Sequence, residues 1–461
     1  MNCGELGLSV PPPAARPQYS LRMFTRIQRA LFPIVGLCGL VSSLVSAQSD
    51  AIVLRAARMF DGHEMRTPGV VVVEGSVISA AGPAAQVPAG ARVIDLGDAT
   101  LSPGLVDAHT HLSSMYNADY KQGQLDFFMK PIPEQALLAV ENLKKTLMAG
   151  VTTVRDLGSY DFIDVGLRNA AAAGTIPGPR MLVSVYAIGS TGGHCDDQNG
   201  LRAGIIGPEN GPTRGVINGP DQARQAVRYN VKYGADVIKV CATGGVLSLT
   251  DPADITQLTQ AELDALVDEA HTLRKKTAAH AHGAEGAKRA IRAGIDSIEH
   301  GAFLDDEAIE MMKARGTYYV PTLMAVEGGK EILAKGGYPP SVATKMKAAM
   351  ESINDVVKKA IARGVKIGMG TDAAVYPHGR NTEELHLLTA LGMTPLAALR
   401  AATTVDAELL GLEGRLGALE PGKLADVIAI PGDPRQNIRQ VEHAFFVMKD
   451  GVVMRDDRPR R

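Results

Sequence analysis

Two histidines, His109 and His111, are the residues whose type and spacing point most directly to chemistry. They stand in the apolar run LSPGLVDAHTHL, which is typical of a buried strand. Side chains on a strand point to the same side at every second residue, so the two imidazoles would face one way as a pair of metal ligands. An isolated pair of this kind also fits plain packing or hydrogen bonding, and other residues must decide between the two.

Four further residues of metal-ligand type stand at or near the ends of short apolar runs. The runs read DVIKV, TAAHAHG, SIEHG and IGMGTDA, and the residues are Lys239, His280, His300 and Asp372. Segments typical of amphipathic helices lie between these runs, at 260–276, 284–293 and 305–315. A strand followed by a helix, repeated along the chain, predicts parallel strands.

The pattern predicts eight parallel strands in an α/β fold. Their ranges are about 105–111, 152–158, 180–189, 236–240, 277–283, 297–301, 318–323 and 367–373. Eight strand–helix units over 105–403 fit a closed (β/α)8 TIM barrel, in which the active site forms at the carboxyl ends of the strands. The six residues of metal-ligand type would then meet at one mouth of the barrel.

Two β-rich flanks surround this predicted barrel. Residues 52–94 and 424–454 alternate short apolar runs with turns, and each flank is too small to form a stable core alone. We expect them to combine into one small β-sandwich domain, with 48–104 as its first half and 404–461 as its second.

As a set, these motifs resemble the amidohydrolase superfamily, from residue 52 to the run KLADVIAI near the carboxyl terminus. The similarity is to the branch of imidazolonepropionase-like proteins, Xaa-Pro dipeptidases (prolidases) and ochratoxin amidohydrolases. It implies two divalent metal ions, for which zinc is the default in a histidine-rich site. His109 and His111 would hold the more buried ion, and His280 and His300 the more exposed one. Asp372 completes the ligand set.

Lys239 needs a chemical change before it can act as a ligand. A free ammonium group repels a cation, and an unmodified Lys239 would serve only as a strand-end salt-bridge residue. The resemblance implies instead that carbon dioxide carboxylates Lys239, which gives an anionic arm long enough to bridge two metal ions. The reaction requires a neutral amine, and burial lowers a lysine pKa in that direction.

The implied reaction is attack by a metal-bridging hydroxide on an amide bond to a C-terminal amino acid. Two cations that share an oxygen lower the pKa of bound water and polarise the carbonyl under attack. Asp372 would act as general base and then as general acid toward the leaving amine; its alternative role is to cap the turn after its strand. Dipeptides, N-acyl amino acids and ochratoxin A-type amides are the expected substrates. The same site would also suit a lactone, a phosphotriester or a cyclic, imidazolone-type amide.

Two more histidines are candidates for substrate binding. His282 follows His280 by two residues, so it shares that face and stands farther out, where it would meet substrate or support a ligand. His194 lies in the glycine-rich loop 189–220, which we expect to form a lid. The sequence leaves open whether His194 contacts substrate or is a solvated loop residue.

Four other polar residues have simpler interpretations. Arg155 and Asp156 end the second predicted strand and would pair with each other in a structural salt bridge. Tyr229 and Tyr233 precede Lys239 on a predicted helix, where packing is expected and contact with a substrate carboxylate is the alternative.

Composition fits a globular enzyme. The chain has 461 residues, a net charge of −2, 45% hydrophobic residues and 21% charged residues. Outside 455–461 it has no long basic run, so we expect a small-molecule or dipeptide substrate as partner and no nucleic acid. A catalytically silent binding protein would be expected to lack Lys239 or Asp372, and both are present. The family resemblance also implies a homo-oligomer.

Residues 1–47 are typical of a secretory leader, with a basic segment, an apolar segment and small residues before a cleavage point after Ala47. We therefore expect a secreted or periplasmic protein without a stable membrane anchor. Beyond this leader two cysteines remain, Cys195 and Cys241. Their spacing does not decide whether they form a disulfide. Cys241 shares the strand face of Lys239, so a thiolate ligand or a nucleophile is its alternative role.

Overall fold

The computed structural model describes residues 50–458, and the predicted leader 1–47 lies outside them. The amino-terminal strands are β1 (Ile52–Ala56), β2 (Arg58–Phe60), β3 (Met65–Arg66), β4 (Gly69–Glu74), β5 (Val77–Ala81), β6 (Arg92–Asp95) and β7 (Ala99–Pro103). The central strands are β8 (Leu105–Thr110), β9 (Val151–Asp156), β10 (Arg180–Val183), β11 (Gly189–Ser190), β12 (Val216–Ile217), β13 (Val237–Cys241), β14 (Lys276–His280), β15 (Ser297–Glu299) and β16 (Tyr318–Val320). The last strands are β17 (Val427–Pro431), β18 (Phe446–Lys449) and β19 (Val452–Asp456).

Helices follow most of the central strands, as the sequence predicts. They are α1 (Tyr120–Met129), α2 (Ile132–Met148), α3 (Ile163–Ala172), α4 (Pro220–Lys232), α5 (Gln260–Thr272), α6 (Ala284–Ala293), α7 (Asp306–Arg315), α8 (Leu323–Ala334), α9 (Pro340–Arg363), α10 (Glu384–Ala390), α11 (Pro395–Arg400) and α12 (Asp406–Leu409). The start of α5 has a capping box, in which Thr259 and Glu262 bond to each other's backbone N–H groups. Over residues 50–458, no helix has both the length and the apolar character needed to cross a membrane.

The central strands form three parallel ladders, β10-β9-β8, β11-β12 and β13-β14-β15-β16, which confirms the parallel α/β architecture. Single parallel bridges join Ile188, just before β11, to Val240 of β13, Tyr319 of β16 to Ile367, and Thr110 of β8 to Ala373; Ile367 and Ala373 lie in the segment after α9. Among the described residues, these regular ladders do not form one closed ring of eight strands.

The eighth predicted strand, 367–373, is wrong as a regular strand, because its backbone bends tightly onto β8. Thr371 and Asp372 both donate backbone hydrogen bonds to the carbonyl oxygen of His109, at 3.1 and 2.7 Å. In a regular β-ladder, two successive backbone N–H groups do not donate to the same carbonyl oxygen. The segment 367–373 therefore does not pair with β8 as a regular strand. A Cβ atom on Gly370 would lie 2.3 Å from the Val320 side chain, so only glycine permits this close packing. The third predicted strand, 180–189, is also shorter than expected, since regular pairing ends at Val183.

The two flanks share a sheet and an apolar cluster. One sheet has the order β5-β4-β1-β6, and the other, β19-β18-β17-β7-β2-β3, combines strands from both ends of the chain. Leu54 and Val71 of the first sheet belong to the same buried cluster as Leu101, Val427 and Phe446 of the second. Neither flank could bury these side chains without the other.

Arg180 joins β10 to the carboxyl-terminal flank. Its guanidinium donates to Asp426 at 2.7 Å, to Asp450 at 2.5 Å and to Thr153 Oγ1 at 2.9 Å. Asp426 is buried, and removing a buried carboxylate's partner is destabilising.

Replacing Arg180 with Met should lower the free energy of unfolding by about 3 kcal/mol, because a buried carboxylate loses its counter-charge. Urea denaturation followed by circular dichroism measures the change. Arg363→Met is the matched control, since Arg363 also pairs with two carboxylates, Asp306 and Glu310, both of which are exposed at the surface. An equal loss in both variants would contradict the role assigned to Arg180.

Candidate active site

The predicted histidine pair lies at the carboxyl end of β8. His109 is fully buried within the strand, and His111 follows the last strand residue. Asp372 Oδ1 lies 3.2 Å from His111 Nε2 and 3.6 Å from His109 Nε2. The ligand atoms of these three side chains lie within 4.8 Å of one another, as a shared cation requires. Burial opposes the charged form of Asp372, but the hydrogen bond with His111 and the nearby charges hold its pKa well below the usual value.

Lys239 extends from β13 toward the same point. Its Nζ lies 3.5 Å from His109 Nε2, and the side chain is almost fully buried. Burial lowers the pKa of Lys239 to about 8, although the carboxylates of Glu299 and Asp372 act in the opposite direction. A substantial fraction of the amine is therefore neutral near pH 8.

His280 and His300 complete the cluster from the ends of β14 and β15. Their ring centroids are 4.6 Å apart, and His300 Nδ1 lies 4.0 Å from Asp372 Oδ2. Burial lowers the pKa of both imidazoles well below the usual value, which keeps them neutral, as metal ligands must be. His300 and Asp372 have φ angles of 67° and 57°. Left-handed backbone at two non-glycine residues is costly and is concentrated at functional sites.

His282 and His194 lie beside these residues. The His282 ring stacks on His300 at 5.2 Å, and the His194 ring stacks on His280 at 4.1 Å. Burial lowers the pKa of His282 to about 3 and that of His194 to about 4, so both are neutral at pH 7. Within residues 50–458, the buried Nδ1 atom of each has no hydrogen-bond partner. His194 is thus half-buried and packs over the cluster through its ring.

Glu299, which the sequence analysis did not single out, supports His109 from behind. Its carboxylate accepts hydrogen bonds from His109 Nδ1 at 2.8 Å, Arg155 Nη2 at 2.9 Å and Ser297 Oγ at 2.5 Å. The proton on Nδ1 leaves the Nε2 lone pair directed toward Asp372 and Lys239. Burial opposes the charged form, yet Arg155 and His109 lower the pKa of Glu299 to about 2.

The expected pair between Arg155 and Asp156 is wrong. Adjacent residues on a strand point to opposite faces, so Arg155 turns inward to Glu299 and Asp156 turns away. Asp156 instead accepts the backbone N–H of Leu112 at 2.5 Å. Burial raises the pKa of Asp156 to about 8.

Asp107 is a second residue that was not anticipated, and it ties the segment before Asp372 to β8. Its carboxylate accepts from Thr371 Oγ1 at 2.6 Å, from Asn381 Nδ2 at 2.8 Å and from the His109 backbone N–H at 3.1 Å. Side chains two residues apart on a strand share a face, so Asp107 lies on the same face as His109. This spacing is the sequence signal that could have indicated Asp107.

The cluster forms the floor of a cavity of about 410 Å³. Seven of the eight residues predicted for the site line it, and His109 lies beneath. Tyr229 and Tyr233 are not among the described lining residues, because they pack against each other and Phe162. Their packing interpretation is correct.

A disulfide joins Cys195, in the loop beside His194, to Cys241 at the end of β13. A covalent link therefore connects the His194 loop to the strand that bears Lys239. A bonded Cys241 is not available as a thiolate ligand or nucleophile, so its alternative role is excluded in this structure.

Comparisons with known proteins identify the family of this chain. The model of the amidohydrolase family matches residues 100–455. The chain is 33% identical over 399 residues to an ochratoxinase from Aspergillus niger, which covers 82% of this chain and 80% of that relative. It is 26% identical over 409 residues to an imidazolonepropionase from Cutibacterium acnes, which covers 85% of this chain and 91% of that relative. A solved Xaa-Pro dipeptidase with methionine bound in its active site matches with a TM-score of 0.82 at 39% identity, over 88% of this chain and 100% of that one.

Parallel strands that carry buried histidines, a lysine and an aspartate to one cavity define a metal-dependent hydrolase. The chain belongs to the amidohydrolase family, and the branch resemblance drawn from its motifs is confirmed.

Glu299→Gln should weaken metal binding by roughly 10- to 100-fold, because the supporting hydrogen bond to His109 loses its charge and Arg155 loses its partner. Competition with a chromophoric chelator measures the zinc affinity directly. Glu310→Gln is the control, since Glu310 is exposed on α7. Unchanged zinc affinity in the Glu299 variant would contradict its supporting role.

Proposed function

We propose that this protein is a secreted binuclear metallo-amidase that hydrolyses an amide bond to a C-terminal amino acid. The observation that carries the proposal is the grouping of Lys239 and Asp372 with four histidines, three of them buried, at the floor of one cavity. The mixed polar and apolar walls of that cavity suit a dipeptide, an N-acyl amino acid or an ochratoxin A-type amide.

The donor set fits two divalent metal ions, with zinc as the expected metal. His109 and His111 would hold one ion and His280 and His300 the other, with Asp372 on the first. The Nδ1 of His111 donates to Gly158 O at 3.2 Å, and the Nε2 of His280 donates to Gly244 O at 3.0 Å. Each hydrogen bond fixes which nitrogen of its imidazole carries the proton. The other ring nitrogen keeps its lone pair and can bind a metal ion. When bound, the ions would lower the pKa of water and polarise the substrate carbonyl.

Carboxylation of Lys239 would supply the bridge between the ions. The Nζ lone pair attacks the carbon of carbon dioxide and the nitrogen loses a proton, which yields a carbamate with one negative charge. The lowered pKa of the buried amine supports this step, because the neutral form is the nucleophile.

Asp372 would move the proton during hydrolysis. Its carboxylate accepts a proton from the attacking water and passes it to the nitrogen of the leaving amine. His282 and His194 would bind the substrate, since both line the cavity beside the predicted ligands and both are neutral.

The family fold supports a closed (β/α)8 barrel over 105–403, with 48–104 and 404–461 forming a β-sandwich. The isolated bridges Thr110 to Ala373 and Tyr319 to Ile367 lie where such a ring would join. The apolar cluster shared by the flanking sheets supports the sandwich.

Secretion and self-association also belong to this proposal. A disulfide is typical of an oxidising compartment and supports removal of the leader 1–47 during export. Several large apolar side chains are exposed on α1 and α2, among them Leu125, Met129 and Leu137. Clustered apolar exposure supports a homo-oligomer that covers these helices.

A lactonase, a phosphotriesterase or a cyclic-amide hydrolase would use the same metal site. The imidazolonepropionase relative favours the cyclic amide among these alternatives, although its identity to this chain is lower than that of the ochratoxinase.

Purified residues 48–461 loaded with zinc should release an amino acid from a subset of Xaa-Pro and other dipeptides, N-acyl amino acids or ochratoxin A. A chelator should abolish this release, since metal-assisted hydrolysis requires the ions. Mass spectrometry of the products identifies the leaving group.

Asp372→Asn is the control, because it removes the proton acceptor while the fold is retained. Turnover confined to a lactone, a phosphotriester or an imidazolone would contradict the proposed substrate class, and release that resists the chelator would contradict the metal requirement.

A further inference from the structure

Two cationic side chains are found among the described residues that line the cavity, Lys239 and Arg214. Lys239 is enclosed among the histidines and is 3% exposed. Arg214 stands in the loop between β11 and β12, and its side chain is 48% exposed. A negatively charged part of a substrate that enters the cavity would therefore meet Arg214.

The backbone around Arg214 is held in place. A 3-10 turn, Pro212–Arg214, ends at Gly215, which has a φ of 82°. A Cβ atom on Gly215 would lie 2.2 Å from Ala187 O, so the turn packs directly against the chain after β10. The Gly189 backbone N–H donates to Gly215 O at 2.9 Å, next to the short parallel pairing of β11 with β12.

The guanidinium group is oriented by one partner. Arg214 Nη2 donates to Asp161 Oδ1 at 3.2 Å, and Tyr186 OH donates to the same oxygen at 3.3 Å. Within residues 50–458, Nε and Nη1 of Arg214 have no recorded partner. A guanidinium with free donors matches a carboxylate, which it can bind through two parallel hydrogen bonds.

We infer that Arg214 binds the carboxylate of the C-terminal amino acid in the substrate and thereby selects free acids over amides and esters. The inference rests on the proposed amidase function and adds the residue that recognises the leaving group. Asp197 also lines the cavity, but its carboxylate would repel the carboxylate of the substrate. Arg214 is therefore the residue expected to hold that substrate group. Arg214 is a specificity residue that contacts substrate and has no part in the proton transfer.

The test compares a substrate that bears a free C-terminal carboxylate with its carboxamide analogue. The wild-type enzyme should prefer the acid, and Arg214→Met should lower the acid-to-carboxamide ratio of kcat/KM by roughly 10- to 100-fold, mainly through KM. Arg214→Lys should keep part of the preference, because it retains the charge without the paired donors.

Arg202→Met is the matched control, since Arg202 is exposed in the same loop and does not line the cavity; it should leave the ratio unchanged. An unaltered ratio in Arg214→Met, or an equal fall for both substrates, would overturn the inference while wild-type turnover keeps the amidase proposal intact. A wild-type enzyme that cleaves neither substrate type at an amino-acid amide bond would instead overturn the proposed function.

Discussion

The hydrogen bond between Glu299 and His109 is the interaction on which the site depends. A carboxylate removed from water is costly unless it is paired and fully hydrogen-bonded, and Glu299 meets this need with Arg155 from β9, His109 from β8 and Ser297 from its own strand. Three strands are thereby joined at one buried charge. The same bond sets the tautomer of His109, so the lone pair faces Asp372 and Lys239. The buried Glu299 carboxylate thus both stabilises the core and orients the predicted ligand His109.

Several residues of the site are positioned by irregular backbone and not by regular strands or helices. Asp372 follows a segment folded onto the His109 carbonyl, and both Asp372 and His300 adopt left-handed conformations. His194 reaches the cluster because Gly245 has no side chain; a Cβ there would lie 2.0 Å from His194 Nδ1. The Cys195–Cys241 disulfide ties the same loop to β13. Irregular backbone and close packing place groups that strands alone would leave apart.

The sequence predicted what depends on local periodicity. The spacing of His109 and His111 follows from the two-residue repeat of a strand. The three amphipathic helices start within one residue of the predicted positions, although α5 ends at Thr272 and not at 276. The sequence could not predict what depends on contacts between distant segments. The partner of Arg155 is 144 residues away, and the disulfide connects residues 46 apart. The irregular path of 367–373 arises from packing against β8, which no feature of that segment alone specifies. The exact roles of the predicted ligands stay predictions.

Anomalous diffraction from zinc-loaded crystals of the mature chain tests the central claim most directly. We expect two zinc peaks per chain, one at His109, His111 and Asp372 and one at His280 and His300, with additional density on Lys239 Nζ that contacts both. A single ion, or an unmodified Lys239 between two ions, would contradict the binuclear site and its carboxylated bridge.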